Sequence, residues 1–480
     1  MKYTTTCILV TLSLNLLAQT AAKDKADEAI FSSINQRADH YSDMAMQIWN
    51  FAELGYQEEQ SSQLLQDALT EAGFTVESGV AAMPTSFIAS YGSGSPVIAI
   101  LGEFDALPGL SQKAQPTKEA VTERGAGHGC GHHLFGVGSS AAGIAVKEWM
   151  VNENRTGTIR VYGTPAEEGG AGKVYMVKAG LFDDVDAVLH WHPGSSNGAD
   201  AASSLANKSA KFRFHGQASH AAGAPERGRS GLDGVEAMNH MVNLMREHVP
   251  SESRIHYVIT RGGEAPNVVP EFAEVFYYCR HPQADQVKKN FEWIVQAAEG
   301  AAMGTQTRME YEVIHGLFNV VPNEVLGRIM HRNLLKVGGV YYDETEQAFA
   351  EEISTSFGDI PFSIESAKAV VPFKVVERGA GGSTDVGDVS WVVPTAGMRA
   401  ATWVPGTSAH SWQAVAAGGT SIGAKGMMVA AKTLAITAAE LLMSEGVIQD
   451  ATTELTRRTG ENFEYKSLLG DREPPLDYRN

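Results

Sequence analysis

The feature that most limits how this chain can fold is a change of rhythm in its middle third. The hydrophobic pattern there predicts a strand over 210–214, a helix over 230–248, strands over 255–259 and 273–279, a helix over 285–302 and a strand over 308–314. That β-α-β-β-α-β order is the ferredoxin-like one. Met309, Tyr311 and Val313 alternate with polar neighbours, whereas Leu232, Val235, Met238, Val242 and Met245 recur at helical spacing, so both sets belong to a core.

A different pattern flanks this unit on both sides. Short apolar strands over 96–101, 158–162 and 187–189 alternate with helical stretches over 61–72 and 134–150, which predicts an α/β sheet covered by helices. After Gly316 the same character returns, with a helix over 324–337, a Gly-rich region over 378–387, a strand over 389–393 and a long C-terminal helix. The expected organisation is a segment 1–22, a catalytic domain over 23–206, an inserted domain over 207–317 and the rest of the catalytic domain over 318–480. The apolar stretch 427–443 contains Lys432 and Glu440 and reads as a core helix, not a membrane span. The polar tail beyond Asn462, with Pro474-Pro475, reads as an extended cover or a loose end.

Lys2, an apolar run over 7–17 and Thr20-Ala21-Ala22 before Lys23-Asp24-Lys25 have the layout of a secretory signal peptide, so a periplasmic or secreted protein is expected. The alternative is a buried N-terminal helix. A formal net charge of -18 argues against a nucleic-acid partner, which needs a clustered basic surface. Of Cys7, Cys130 and Cys279, only the last two would remain after cleavage, and in an oxidising compartment they could pair as a disulfide.

Chemistry concentrates in Gly127-His128-Gly129-Cys130-Gly131-His132-His133, directly before a predicted helix. Thiol and imidazole at this density suit a zinc-like metal, and the glycines let the backbone turn so that side chains converge. Glu167-Glu168 follows a strand, where one carboxylate can bind metal while the other acts as general base. His190, His192 and His410 are further candidate ligands, and Asp105 could orient a ligand imidazole. In the inserted unit, His220 and Asn267 could each stabilise an oxyanion, and Arg280 or Arg261 could meet a substrate carboxylate. Cys130 could instead be a nucleophile paired with a histidine, a mechanism that needs no paired carboxylates.

Several runs occur in a fixed order: Phe51-Ala52-Glu53-Leu54-Gly55-Tyr56-Gln57-Glu58, Asp105-Ala106-Leu107-Pro108, Cys130-Gly131-His132, Glu167-Glu168-Gly169-Gly170 and His220-Ala221-Ala222. Together they make the chain resemble the M20 family of metallo-aminoacylases and carboxypeptidases over nearly its whole mature length. Trp191-His192-Pro193, the run from Ser383 to Trp391 and His410-Ser411-Trp412-Gln413 are similar to its branch of aminobenzoyl-glutamate hydrolase B subunits.

The resemblance implies two divalent metal ions per subunit, Zn2+ or Mn2+, held by Cys130, His132, Glu168, His410 and one of His190 and His192, of which His192 is favoured. It implies Glu167 as general base, and an inserted lid and dimerisation domain whose His220 reaches an active site, commonly the partner subunit's. A homodimer, or assembly with a related partner subunit, follows from it. The implied reaction is hydrolysis of an amide bond in an N-acyl or N-aroyl amino acid, p-aminobenzoyl-glutamate among them, or in a small dipeptide. The alternative is a non-catalytic binding or regulatory subunit that keeps the fold. Two residues depart from the family pattern: His133 stands where Asp or Asn is usual, and Glu103 where many members have a ligand histidine.

Overall fold

The structure, a computed structural model, describes residues 23–379 and 381–479; the expected signal segment 1–22 lies outside the described residues. The strands are β1 (Thr75–Ser78), β2 (Phe87–Ser93), β3 (Val97–Gly102), β4 (Gly157–Gly163), β5 (Ala187–Gly194), β6 (Ala201–Ala202), β7 (Ala206–His215), β8 (Arg254–Arg261), β9 (Phe272–His281), β10 (Arg308–Leu317), β11 (Val375–Val376) and β12 (Thr395–Ala401). One six-stranded sheet has the order β1-β2-β4-β3-β5-β12. Its β1 and β2 edge is antiparallel, whereas β4, β3, β5 and β12 run parallel.

The period-two alternation of a strand assigns each side chain to one face of this sheet. In β3, Ile98 and Ile100 join the larger core with the helices Ala38–Phe51, Glu59–Glu71, His132–Asn152 and Ser421–Leu442. Val97, Ala99 and Leu101 join a second core on the opposite face, with Val174, Tyr175 and Met176 of the helix Gly172–Lys178. With both faces covered, β3 is buried along its whole length, which is why its sequence is continuously apolar. The helix Ser421–Leu442 is long and apolar enough to cross a membrane, and here 83% of its most apolar window is buried, packed beside His132–Asn152.

The second sheet has the order β10-β7-β9-β8, antiparallel throughout. The helices Gly231–Met245 and Ala284–Thr305 pack on it, completing the ferredoxin-like arrangement, and Val235, Met238, Val242, Phe212 and Phe214 fill its core. Cys279 lies in that core, and both Cys279 and Cys130 are buried free thiols, so they are not paired as a disulfide.

Two segments differ from the sequence pattern. The expected strand over 389–393 is part of the helix Val386–Val392, with the strand displaced to β12 after Pro394. The buried Val386, Val389 and Val393 stand at helical spacing, which overrides the β-branched composition of Val389, Val392 and Val393. The tail beyond Asn462 is not loose. Leu468 and Leu469 are buried, and Tyr465 donates a hydrogen bond to Asp388 Oδ1 at 2.7 Å.

Candidate active site

The parallel strands place their carboxyl ends together, where ligands gather in open α/β sheets. Glu103 and Asp105 follow β3, Glu167 and Glu168 follow β4, His192 lies near the end of β5, and His410 lies on the loop after β12. The run Gly127–His133 comes to the same point. Gly131 turns with φ 73°, and a Cβ there would stand 2.7 Å from Pro193 Cβ, so the loop can close on β5 only with glycine at this position.

The result is one cluster of donors. Cys130, His132 and His192 each offer a ligand atom within 4.8 Å of the others, as do Cys130, Glu168 and His410, and also Glu103, His132 and Glu167. His410 Nε2 lies 3.1 Å from both Cys130 Sγ and Glu168 Oε1. His132 Nδ1 meets Asp105 Oδ1 at 2.8 Å, which turns Nε2 towards Glu103 Oε2 at 3.1 Å. Asp105 Oδ2 accepts from the Glu168 amide at 2.9 Å. One carboxylate thereby orients an imidazole and a neighbouring ligand loop together.

Glu103 Oε2, His132 Nε2 and Glu168 Oε1 are buried, and although each has a polar neighbour at 3.1 Å, none of these contacts has the geometry of a hydrogen bond. Such atoms carry a desolvation cost unless something else satisfies them. A thiolate, imidazoles and carboxylates converging on one point form a donor set that fits a zinc-like divalent cation.

The electrostatics of the cluster are strongly shaped by its enclosure. Burial opposes charge on His132, but Asp105 and Glu103 outweigh it and hold the imidazole well above its ordinary value. Burial, then Glu103, Glu168 and Asp385, push the Glu167 carboxyl well above the usual carboxylate range. Burial pushes the Cys130 thiol up, with Glu168 and Glu167 adding to the effect. A thiol held in that form is a poor lone nucleophile, which disfavours the cysteine-hydrolase alternative.

Not all the expected residues gather there. His220 and Asn267 are exposed on the inserted domain, where the Ala221 amide donates to the Asn267 carbonyl at 3.0 Å. His220 Nδ1 accepts from the Gly223 amide at 3.0 Å, and neither residue belongs to a donor group. Arg280 and Arg261 also stay on the inserted sheet, over Tyr278 and Phe272 respectively. His128 and His133 meet the carbonyls of Ile48 and Gly418, each at 3.0 Å. Burial lowers both, His128 to about 4, so His133 brings no positive charge beside the cluster. His190 is neutral as well, lowered by burial to about 4, and has no place in the three donor groups.

Lys173 and Asp385 are residues whose importance the sequence did not announce. The fully buried Lys173 ammonium lies 2.7 Å from Glu103 Oε1 and 2.7 Å from Asp385 Oδ1. Burial opposes its charge, and Asp385 and Glu103 more than restore it. Asp385 stands inside the run from Ser383 to Trp391, but a single lysine after glycine carries no signal of burial. Beside the cluster, a cavity of about 370 Å³ is lined by Glu103, His190, His192, Phe135, Ser383 and Met398, among others.

The M20 peptidase dimerisation domain matches residues 206–306. The B subunit of p-aminobenzoyl-glutamate hydrolase from Escherichia coli (strain K12) is 41% identical over 452 residues, covering 88% of this chain and 94% of that protein. The chain belongs to the M20 family. It is accordingly a metal-dependent amidohydrolase in its family membership. A putative aminohydrolase from methicillin resistant Staphylococcus aureus shares the fold with a TM-score of 0.63 at 16% identity, over 87% of this chain and all (100%) of that one. A dinuclear metal binding M20 peptidase from Bacillus subtilis does so with a TM-score of 0.55 at 17% identity, over 85% and 99%.

Proposed function

We propose that this chain is a dinuclear metallohydrolase that cleaves the amide bond of an N-acyl or N-aroyl amino acid, p-aminobenzoyl-glutamate or a close analogue among its substrates. The observation that carries this reading is the sharing of Cys130 between two donor groups, one with His132 and His192, the other with Glu168 and His410. Cys130, His132, His192, Glu168 and His410 would together hold two divalent ions, Zn2+ or Mn2+. His192 and not His190 is the β5 ligand, because only His192 belongs to a donor group.

Bound there, two divalent ions would polarise an amide carbonyl and make water acidic enough to attack at neutral pH. The protein's own residues do the rest. Glu167, beside Glu168 at the carboxyl end of β4, takes the proton from the attacking water and returns it to the leaving amine. Asp105 keeps His132 in one tautomer and orientation. His220 and Asn267, exposed away from this chain's own cluster, act as oxyanion donors to a partner subunit's site, which ties activity to assembly through the dimerisation domain. The partner is a second copy of this chain or a related subunit, and residues 1–22 direct export.

The test is metal analysis of the purified mature chain, coupled to a hydrolysis panel of N-acyl, N-aroyl and dipeptide substrates. About two metal equivalents and chelator-sensitive hydrolysis of aroyl amino acids are expected. A metal-bearing chain that is inactive alone but active with a related subunit would favour the regulatory alternative, and a metal-free chain would sink the reading.

A further inference from the structure

We propose that Tyr478 and Arg479 are positioning residues for the turn that carries Glu167 and Glu168, an inference that rests on the roles proposed above for those carboxylates. The turn is strained: Ala166 at φ 56° and Ala171 at φ 61° both occupy the left-handed region, which L-residues with a Cβ enter only at a steric cost. A turn of this kind keeps its shape where its surroundings hold it.

The holders can be named one by one. Glu58 Oε1 accepts from the Ala166 amide at 2.8 Å, and Asp105 Oδ2 from the Glu168 amide at 2.9 Å. The Tyr56 hydroxyl donates to the Gly170 carbonyl at 2.8 Å. The Glu168 carbonyl is held from some 310 residues away: Tyr478 donates its hydroxyl at 3.0 Å and Arg479 its Nη2 at 2.5 Å.

These two contacts are built, not incidental. The Tyr478 ring meets Tyr56 edge-on at 5.6 Å, and the Arg479 guanidinium lies over the Tyr478 ring at 4.8 Å. A Cβ at Gly55 would come within 2.2 Å of the Tyr478 hydroxyl, so the site admits Tyr478 only because residue 55 is glycine. The segment leading there runs along the helix that follows the turn. Lys178 Nζ donates to the Gly470 carbonyl at 2.8 Å and the Tyr175 hydroxyl to the Glu473 carbonyl at 3.1 Å. Neither Tyr478 nor Arg479 belongs to a donor group, so they act through the Glu168 backbone. A shift of the turn by a fraction of an ångström would misplace both carboxylates, and misplacement on that scale costs rate steeply.

The test uses the full chain loaded with metal and the double variant Tyr478→Phe, Arg479→Ala. The expected result is a fall in kcat of ~10-fold or more with KM within ~2-fold, weaker retention of metal against a chelator, and an unchanged circular dichroism spectrum. Arg479→Lys, which keeps a donor for the carbonyl, should recover most of the loss. Wild-type kcat and metal retention in the double variant would overturn the proposal, as would a kcat loss that merely tracks loss of folded protein. Glu167→Gln measured alongside separates the two readings. If that protein is active, the catalytic assignment falls; if it is inactive while the double variant is normal, only the positioning role falls.

Discussion

Cys130 Sγ and His410 Nε2 stand 3.1 Å apart although 280 residues separate them, and Glu168 Oε1 meets the same imidazole nitrogen at 3.1 Å. Cys130→Ser replaces a soft thiolate common to both donor groups with a weak hydroxyl ligand. Metal content should fall from about two equivalents to one or fewer, with hydrolysis reduced by ~100-fold or more. Elemental analysis of the purified variant checks this, and full metal content in Cys130→Ser would remove Cys130 from the ligand set.

Glu167 is separable from metal binding because the donor groups that share Cys130 do not include it. Glu167→Gln is expected to keep its metal and lose ~10²–10⁴ in kcat, the usual worth of a general base. Turnover near the wild-type rate would show that another group moves the proton.

Lys173 compensates two buried carboxylates at once, each at 2.7 Å. Lys173→Met leaves Glu103 and Asp385 facing each other without their shared ammonium, so the folded state should lose ~3–5 kcal/mol. Urea denaturation measures it; a loss below ~1 kcal/mol would mean that the ion pairs are effectively solvated.

Asp388 sets a pH dependence. Its oxygens accept from the Phe318 amide at 2.9 Å and the Tyr465 hydroxyl at 2.7 Å, but burial outweighs both and lifts the carboxyl to about 7. A folded value above the unfolded one means that the native state binds the proton more tightly. The resulting stabilisation is full below about pH 4 and lost as pH rises to about 7. Asp388→Asn lacks this titration, so wild type should lose stability relative to it across that window, by up to about 4 kcal/mol. Urea midpoints that run parallel for both proteins from pH 4 to pH 7 would contradict it.

The inserted domain was legible because its elements are half-buried, so that burial writes periods of 2 and 3.6 into the sequence. The segment 386–393 was misread for the same reason: its valines have a strand's composition but a helix's spacing. At the site, the density of Cys130 and His132 within one loop pointed to the cluster. Which neighbouring histidines face it was not readable. His128 and His133 are claimed by the carbonyls of Ile48 and Gly418, partners set by tertiary packing alone. Lys173 escaped notice because its counter-charges, Glu103 and Asp385, lie far along the chain in both directions. Tyr478 and Arg479 sit in a polar tail whose composition says nothing about a strained turn elsewhere.

The second core of the catalytic domain and the core of the inserted domain are stitched by matched pairs of neighbours. Leu317 and Leu469 enter the catalytic core, while Phe318 and Leu468 enter that of the inserted domain. A Cβ at Gly316 would collide with Leu468 at 2.8 Å, so the tail lies flush against the exit of β10. The insertion is therefore no detachable accessory. Excising it to obtain a minimal catalytic module would strip the seat from Leu468 and free the segment that ends on the Glu168 carbonyl, and so disturb the metal cluster without touching one of its ligand candidates.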